Sequence, residues 1–360
     1  MSRQIEASDH EALFVGHNFP EWLTDLGEIR MNYVEVGNPE LPALLLIPAQ
    51  TESWWGYEAA LRPVSEKFHT FAVDVRGQGR SSWTPGRYSL DNWGNDLVRF
   101  IDEVVEEPVI VSGNSSGGVI AAWLAAYAKP GQIRGAILED APLFASELIT
   151  TTGPGIRQGM GLTMALSHKW LGDQWSIGDW AGMQRAAMAG EIPTWLAKGL
   201  TAMANAADGP PDPNVVPQNM REYDPEFGLS FYNGTATRNV SHEQMLSAIR
   251  VPILLTHHFH EVDGETGAVL GALTDQQAAR ARELVTRAGQ LFTTRDLPGM
   301  AHQMHQQDPQ LFADIVDEFA VTLDSDPAQA RGDGQAGTLV APRTGAPPRT
   351  ASTFSSRAVT

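Results

Sequence analysis

The chain contains no cysteine in 360 residues. That absence excludes a disulfide framework, a thiol nucleophile, and any zinc or iron–sulfur centre held by thiolates. Positive charge is also scarce: 25 basic residues face 43 acidic ones, for a formal charge of −18. An acidic surface repels phosphate backbones, so nucleic acid is not an expected partner. Long hydrophobic runs are missing too. The longest, such as Val119 to Ala128, fall well short of the roughly 20 residues that a helix needs to cross a bilayer. The first eleven residues are polar and mixed in charge, unlike a signal peptide. A cytoplasmic protein with no membrane partner is the expectation.

What is present is material for a large core, with 42% hydrophobic and 19% charged residues. Five short apolar runs stand out: Ala43–Ile47, Thr70–Val75, Pro108–Ser112, Gly135–Glu139 and Pro252–Thr256. Each is apolar without alternation and bounded by Gly or Pro, as buried strands of a parallel sheet are. Helix-length segments separate them. Asp91 to Val105 puts Leu97, Phe100, Ile101 and Val104 on one face, Val119 to Ala128 is apolar nearly all round, and Gln310 to Leu323 repeats apolar residues every four. Strand–helix alternation predicts a doubly wound α/β sheet. The stretch from about Ala145 to Arg238 breaks the rhythm, being rich in Gly, Met, Trp and Pro. It reads as a helical cap inserted between two strands. The expected organisation is a core of residues 1–144 and 239–324, a cap of 145–238, and a disordered tail of 325–360. That tail is too poor in apolar residues to offset its ordering entropy. With four Arg and two Asp, it leaves the body at about −20.

One motif carries chemistry. Gly113-Asn114-Ser115-Ser116-Gly117 follows the third apolar run and opens the Ala-rich helix. The G-x-S-x-G pattern forces a sharp strand-to-helix turn that exposes its serine beside the positive end of a helix. Ser115 is the candidate nucleophile, and the backbone N–H of Ser116 the first oxyanion donor. The second donor should come from the loop after Ala43–Ile47, with Gln50 preferred and Thr51 its neighbour. A serine hydroxyl needs a base. His302, in Gly299-Met-Ala-His302 before the final helix, fits the order Ser, acid, His, and His305 competes with it. For the carboxylate, two places stay open: Asp140 at the end of the fourth run, and Glu261 or Asp263 after the fifth. The loop Asp74-Val-Arg-Gly-Gln-Gly-Arg-Ser81 is expected to buttress the fold. His257, His258 and His260 lie close together, but strand alternation would put His258 and His260 on one face and turn His257 away, so no metal site is expected.

These residues resemble the α/β-hydrolases, and within them the bacterial zearalenone lactone hydrolases. The resemblance spans roughly Phe14 to Leu323. It includes Ser53-Trp-Trp55, Arg76-Gly-Gln-Gly-Arg-Ser81, Gly113-Asn-Ser-Ser-Gly-Gly118, Glu139-Asp-Ala-Pro142, Gly172 to Trp180 and Thr256-His-His258. It implies an α/β-hydrolase fold, mostly parallel and doubly wound, with a helical lid. It implies opening of the macrolactone ester of zearalenone through a Ser-His-Asp triad and an acyl-enzyme, without a cofactor. Other carboxylic esters, C–C bonds or a slow-turnover ligand receptor are the alternatives on this scaffold. The serine argues against epoxide hydrolases, which place Asp there. The resemblance moves the choice of acid to Asp140, where related fungal enzymes carry Glu, and keeps Asp263 as the alternative. It implies a small apolar lactone as partner and suggests a homodimer. Trp54, Trp55, Trp175, Trp180 and Trp195 are the candidate substrate-binding residues, since a Trp- and Met-rich lid suits a flat apolar ligand.

Overall fold

A computed structural model describes residues 14–171, 178–197, 215–262, 264 and 269–324. Ten strands occur among them: β1 (Glu21–Asp25), β2 (Arg30–Val36), β3 (Ala43–Ile47), β4 (His69–Val73), β5 (Val109–Asn114), β6 (Ile133–Glu139), β7 (Ile253–His257), β8 (His260–Val262), β9 (Val269–Gly271) and β10 (Phe292–Asp296). Eight form one sheet in the order β1-β2-β4-β3-β5-β6-β7-β10. All neighbours from β4 to β10 run parallel, and β2 pairs antiparallel with both β1 and β4. The expected mostly parallel, doubly wound sheet is therefore present.

The lack of alternation in the strand sequences has a direct cause. Leu45, Val111, Leu138 and Leu255 enter the core on one face of the sheet. Leu44, Leu46, Ile110, Ile137 and Leu254 enter a second core on the other. Successive side chains point to opposite faces, and here both faces are covered. On the first face lie α2 (Leu90–Phe100) and α3 (Ser116–Tyr127), carrying Trp93, Leu97, Ile120 and Leu124. On the second lie α1 (Glu58–Ser65) and the last helix, Pro309–Asp324, carrying Leu61, Phe312, Val316 and Phe319.

The β1–β2 hairpin was not among the expected strands. Its residues include Glu21, Asn32 and Glu35, which interrupt any apolar run, and β1 is only partly buried. The Asp74–Ser81 loop buttresses as expected. The Asp74 carboxylate accepts from Trp54 N, Asn32 Nδ2 and Arg80 N at 2.7, 2.9 and 3.0 Å. A Cβ on Gly79, whose φ is +51°, would sit 2.1 Å from that carboxylate. Arg76 grips Asp96 of α2 with two bonds of 2.6 and 2.8 Å, both side chains fully buried.

Between β6 and β7 the described residues form helices and no strand. These include α4 (Gly161–Leu171), α5 (Trp180–Ala186), α6 (Gln218–Arg221), α7 (Pro225–Tyr232) and α8 (His242–Ser247). Helix α4 packs on α7, whose start is fixed by the Asp224 carboxylate accepting from Glu226 N at 3.0 Å. Beyond β9 come α9 (Asp275–Arg287), α10 (Met304–Gln307) and α11, the Pro309–Asp324 helix. No described helix is long and apolar enough to cross a membrane. Residues 325–360, read as a tail, lie outside the described residues.

Candidate active site

Ser115 sits between β5 and α3 with φ 52° and ψ −119°, a conformation that L-residues rarely adopt. Such backbone costs on the order of 1–3 kcal/mol and persists only where its surroundings enforce it. Two glycines show what enforces it. A Cβ on Gly113 would lie 2.2 Å from the carbonyl oxygen of Gly117, and one on Gly117 would lie 2.3 Å from that of Ile47. The turn is thus pressed against both its own helix and strand β3. Thr51 and Asp140 also have positive φ, of 64° and 44°. Local strain collects where the expected site residues meet.

His302 lies in the loop between β10 and α10. Its Nδ1 is 2.6 Å from Oδ2 of Asp140, the residue directly after β6. Asp140 is almost fully buried, and its other oxygen accepts from His258 N at 3.1 Å. The backbone N–H of Asp140 bonds Thr256 O at 2.9 Å, which pins the carboxylate between the ends of β6 and β7. Burial opposes ionisation of Asp140, but the His302 hydrogen bond and charge, with His258, outweigh it and hold the carboxyl below its usual range. Burial likewise opposes a charged His302. The Asp140 hydrogen bond and charge, helped by Glu52 and Glu139, outweigh it and lift His302 above the ordinary histidine value. Asp263, the alternative acid, lies outside the described residues, and Glu261 is exposed.

Ser115, Ser116, Gln50, Thr51 and His302 all border one cavity of about 340 Å3. Ser116 begins α3, so its N–H has no partner within the helix. Gln50 and Thr51 occupy the middle of a turn closed by Glu52 N donating to Ala49 O at 3.2 Å. His305 does not border the cavity. Its fully buried ring is held by both Glu139 oxygens at 2.9 Å, stacks on Tyr57 at 4.0 Å, and has Nε2 3.8 Å from Glu52. This Glu52–His305–Glu139 cluster behind His302 was missed from sequence. Glu139 and Glu52 stand among apolar or loop residues, with no spacing to betray them.

The tryptophans are not where they were expected. Among the described residues, none lines the cavity. Trp54 is buried in the core against α1 and α11, its Nε1 bonding Glu21 at 3.1 Å. Trp55 bonds Glu222 at 2.8 Å and stacks on His17. Trp180 and Trp195, between β6 and β7, are partly buried and not among the lining residues, and Trp175 lies outside the described residues. The lining instead uses Ile156, Met160, Met164, Met220, Phe231 and Leu273. Trp residues N-terminal to α1 were drawn inward because each indole N–H finds a buried or half-buried carboxylate.

The histidine trio also pairs differently. His258 gives its backbone N–H to Asp140, while its ring Nδ1 bonds Ala301 O at 2.8 Å and its Nε2 Thr256 Oγ1 at 2.9 Å. His257 and His260 stack together instead. The strand ends at His257, so period-two alternation does not carry past it.

Residues 42–175 match a family model described as alpha/beta hydrolase fold. Pheophytinase of Arabidopsis thaliana is 28% identical over 172 residues, covering 39% of this chain and 35% of that protein. Mouse epoxide hydrolase 4 is 29% identical over 116 residues, covering 32% of each chain. The matched segment thus spans about a third of the length of these curated relatives. Among solved structures, the enol-lactonase of Burkholderia xenovorans superposes with a TM-score of 0.54 at 16% identity, covering 83% of this chain and 99% of the other. Together with the sheet order and the serine turn, these likenesses give the fold: the chain has the α/β-hydrolase fold.

Proposed function

We propose that the protein is a serine hydrolase of carboxylic esters and that the lactone zearalenone is its substrate. The observation that carries the reaction class is the common cavity of Ser115, His302 and the start of α3, with Asp140 2.6 Å behind His302. Asp140 occupies Nδ1 and so leaves Nε2 of His302 to take a proton. Ser115 Oγ attacks the ester carbonyl carbon as its proton passes to His302. The N–H groups of Ser116 and Gln50 hold the negative oxygen that forms. The carbon–oxygen ester bond breaks, His302 returns the proton to the leaving alkoxide, and the opened chain stays attached to Ser115 as an ester. Water then attacks that ester, gives its proton to His302, and leaves as part of the free acid while Ser115 regains its proton.

The substrate class rests on the resemblance and on the cavity. About 340 Å3 falls within the range of small-molecule sites. Its methionines offer adaptable apolar contact to an aromatic macrocycle.

The test is incubation of the wild-type protein with zearalenone while lactone and open-chain acid are measured by chromatography. Many turnovers per chain are expected. Stoichiometric product alone would mean a receptor, and no product would remove zearalenone as substrate.

A further inference from the structure

Four ligating groups converge at the carboxyl ends of β7 and β10, outside the site described above. His257 ends β7, Asp296 ends β10, and the two are register partners. His260 opens β8, and Asp275 opens α9. The rings of His257 and His260 stack with centroids 3.7 Å apart and planes 13° from parallel.

The hydrogen bonds of the two rings fix their protons. His257 Nε2 lies 3.1 Å from Leu273 O, and His260 Nδ1 lies 2.5 Å from His258 O. A carbonyl oxygen only accepts, so each of these nitrogens is the donor. In a neutral ring the other nitrogen then carries a lone pair. Those lone-pair nitrogens, His257 Nδ1 and His260 Nε2, are the ones that face Asp275 Oδ1, at 3.8 and 3.0 Å. Ligand atoms of His257, His260 and Asp296 all lie within 4.8 Å of one another. With both rings neutral, several acceptors thus share one small space. Two stacked imidazolium rings would relieve that at the cost of their mutual repulsion. A single cation relieves it without that cost.

The spacing suits a metal. Bonds of about 2.0–2.1 Å in a tetrahedral arrangement put ligand atoms about 3.3–3.4 Å apart, and Asp275 Oδ1 lies 3.0 and 3.8 Å from the two ring nitrogens it faces. Donation of the outer ring N–H to a backbone carbonyl is also how metal-bound histidines are held. We propose that His257, His260 and Asp296, with the exposed Asp275 beside the two rings, form a binding site for a divalent transition-metal cation of the zinc type. Strand alternation predicts a His258–His260 pair with His257 turned away, whereas His257 and His260 pair in the structure and Asp296 joins them. The ion would tie β7, β8, β10 and α9 together. Leu273, whose carbonyl holds His257, lines the substrate cavity with Gly271 and Ala272. The ion therefore braces a cavity wall and takes no part in the ester chemistry.

The experiment is calorimetric titration of untagged full-length protein, stripped with chelator, with Zn2+ and separately with Mg2+. One Zn2+ site per chain is expected, with a rise in the thermal unfolding midpoint and no comparable Mg2+ binding, because imidazole ligands disfavour Mg2+. His260→Gln, at a half-buried position, and Asp296→Asn, at an exposed one, should each weaken Zn2+ binding by at least ~10-fold while leaving the far-ultraviolet spectrum unchanged. Absence of a saturable Zn2+ site, equal affinity for Mg2+, or a site indifferent to both substitutions would overturn the proposal and leave protons as the cluster's only occupant.

Discussion

Asn114 donates its side-chain amide to the backbone carbonyl of His302 at 2.8 Å, across 188 positions of sequence. The residue that precedes the proposed nucleophile therefore holds the loop that carries the proposed base. The same amide reaches Glu139 O at 3.2 Å, next to Asp140. One side chain thus links all three segments of the proposed triad. Asn114→Ala should keep the fold but loosen His302. A misplacement of about 1 Å can cost ~100-fold in rate, so kcat should fall by roughly that factor with KM little changed. Steady-state kinetics on any ester the protein turns over checks this.

Asp140 is the second prediction. Asp140→Asn removes the acceptor that fixes His302 Nδ1–H, and loss of the correct tautomer costs about 10^4 in kcat in comparable triads. Asp263→Asn should stay near wild type. A larger loss from Asp263→Asn than from Asp140→Asn would reassign the acid.

A third concerns pH. His302 must be neutral to accept the Ser115 proton, and its pKa is raised. Activity should therefore fall on acidification along a limb lying above the ordinary histidine value, read from kcat/KM against pH. Glu52 adds to that rise by its charge, while its side chain bonds Gln303 and Gln306 at 3.0 and 3.1 Å. Glu52→Gln should move the limb to lower pH and leave the alkaline plateau in place. An unmoved limb would show that Glu52 does not act on His302.

Glu147 gives a stability prediction. Burial pushes its pKa from 4.5 to about 7, although His242 N donates to Oε1 at 2.8 Å. Its neighbour His242 is held down to about 3 by burial, consistent with a neutral ring whose Nδ1 accepts from Phe144 N at 2.8 Å. The folded state thus prefers protonated Glu147. The associated stability is complete below 4.5 and is lost as pH rises through about 7. Glu147→Gln should flatten that decline in denaturant-unfolding free energy, gaining stability over wild type at pH 8 and little at pH 4. A wild-type slope that survives in the variant would contradict the assignment.

The sequence carried the parts of the molecule that depend on local pattern. Ala43–Ile47 is a strand end to end because both its faces are buried, which leaves an unbroken apolar run. Gly113 and Gly117 mark the serine turn because no Cβ fits at either place. What depends on long-range partners was hidden. His305 competes with His302 in sequence, where the Gly299-x-x-His302 turn favours the latter, and burial against Glu139 separates them in the structure. The tryptophans look like pocket residues, yet Glu21 and Glu222 draw Trp54 and Trp55 away from the cavity. The His257–His260 pair is invisible because it forms across the break between β7 and β8, where strand periodicity has ended.

The central claim is that Ser115 is the nucleophile. Ser115→Ala, compared with wild type under saturating ester, tests it most directly. Removing a triad serine costs on the order of 10^6 in kcat, so the variant should fall to the limit of detection while retaining its unfolding midpoint. Unchanged turnover in Ser115→Ala would contradict the account.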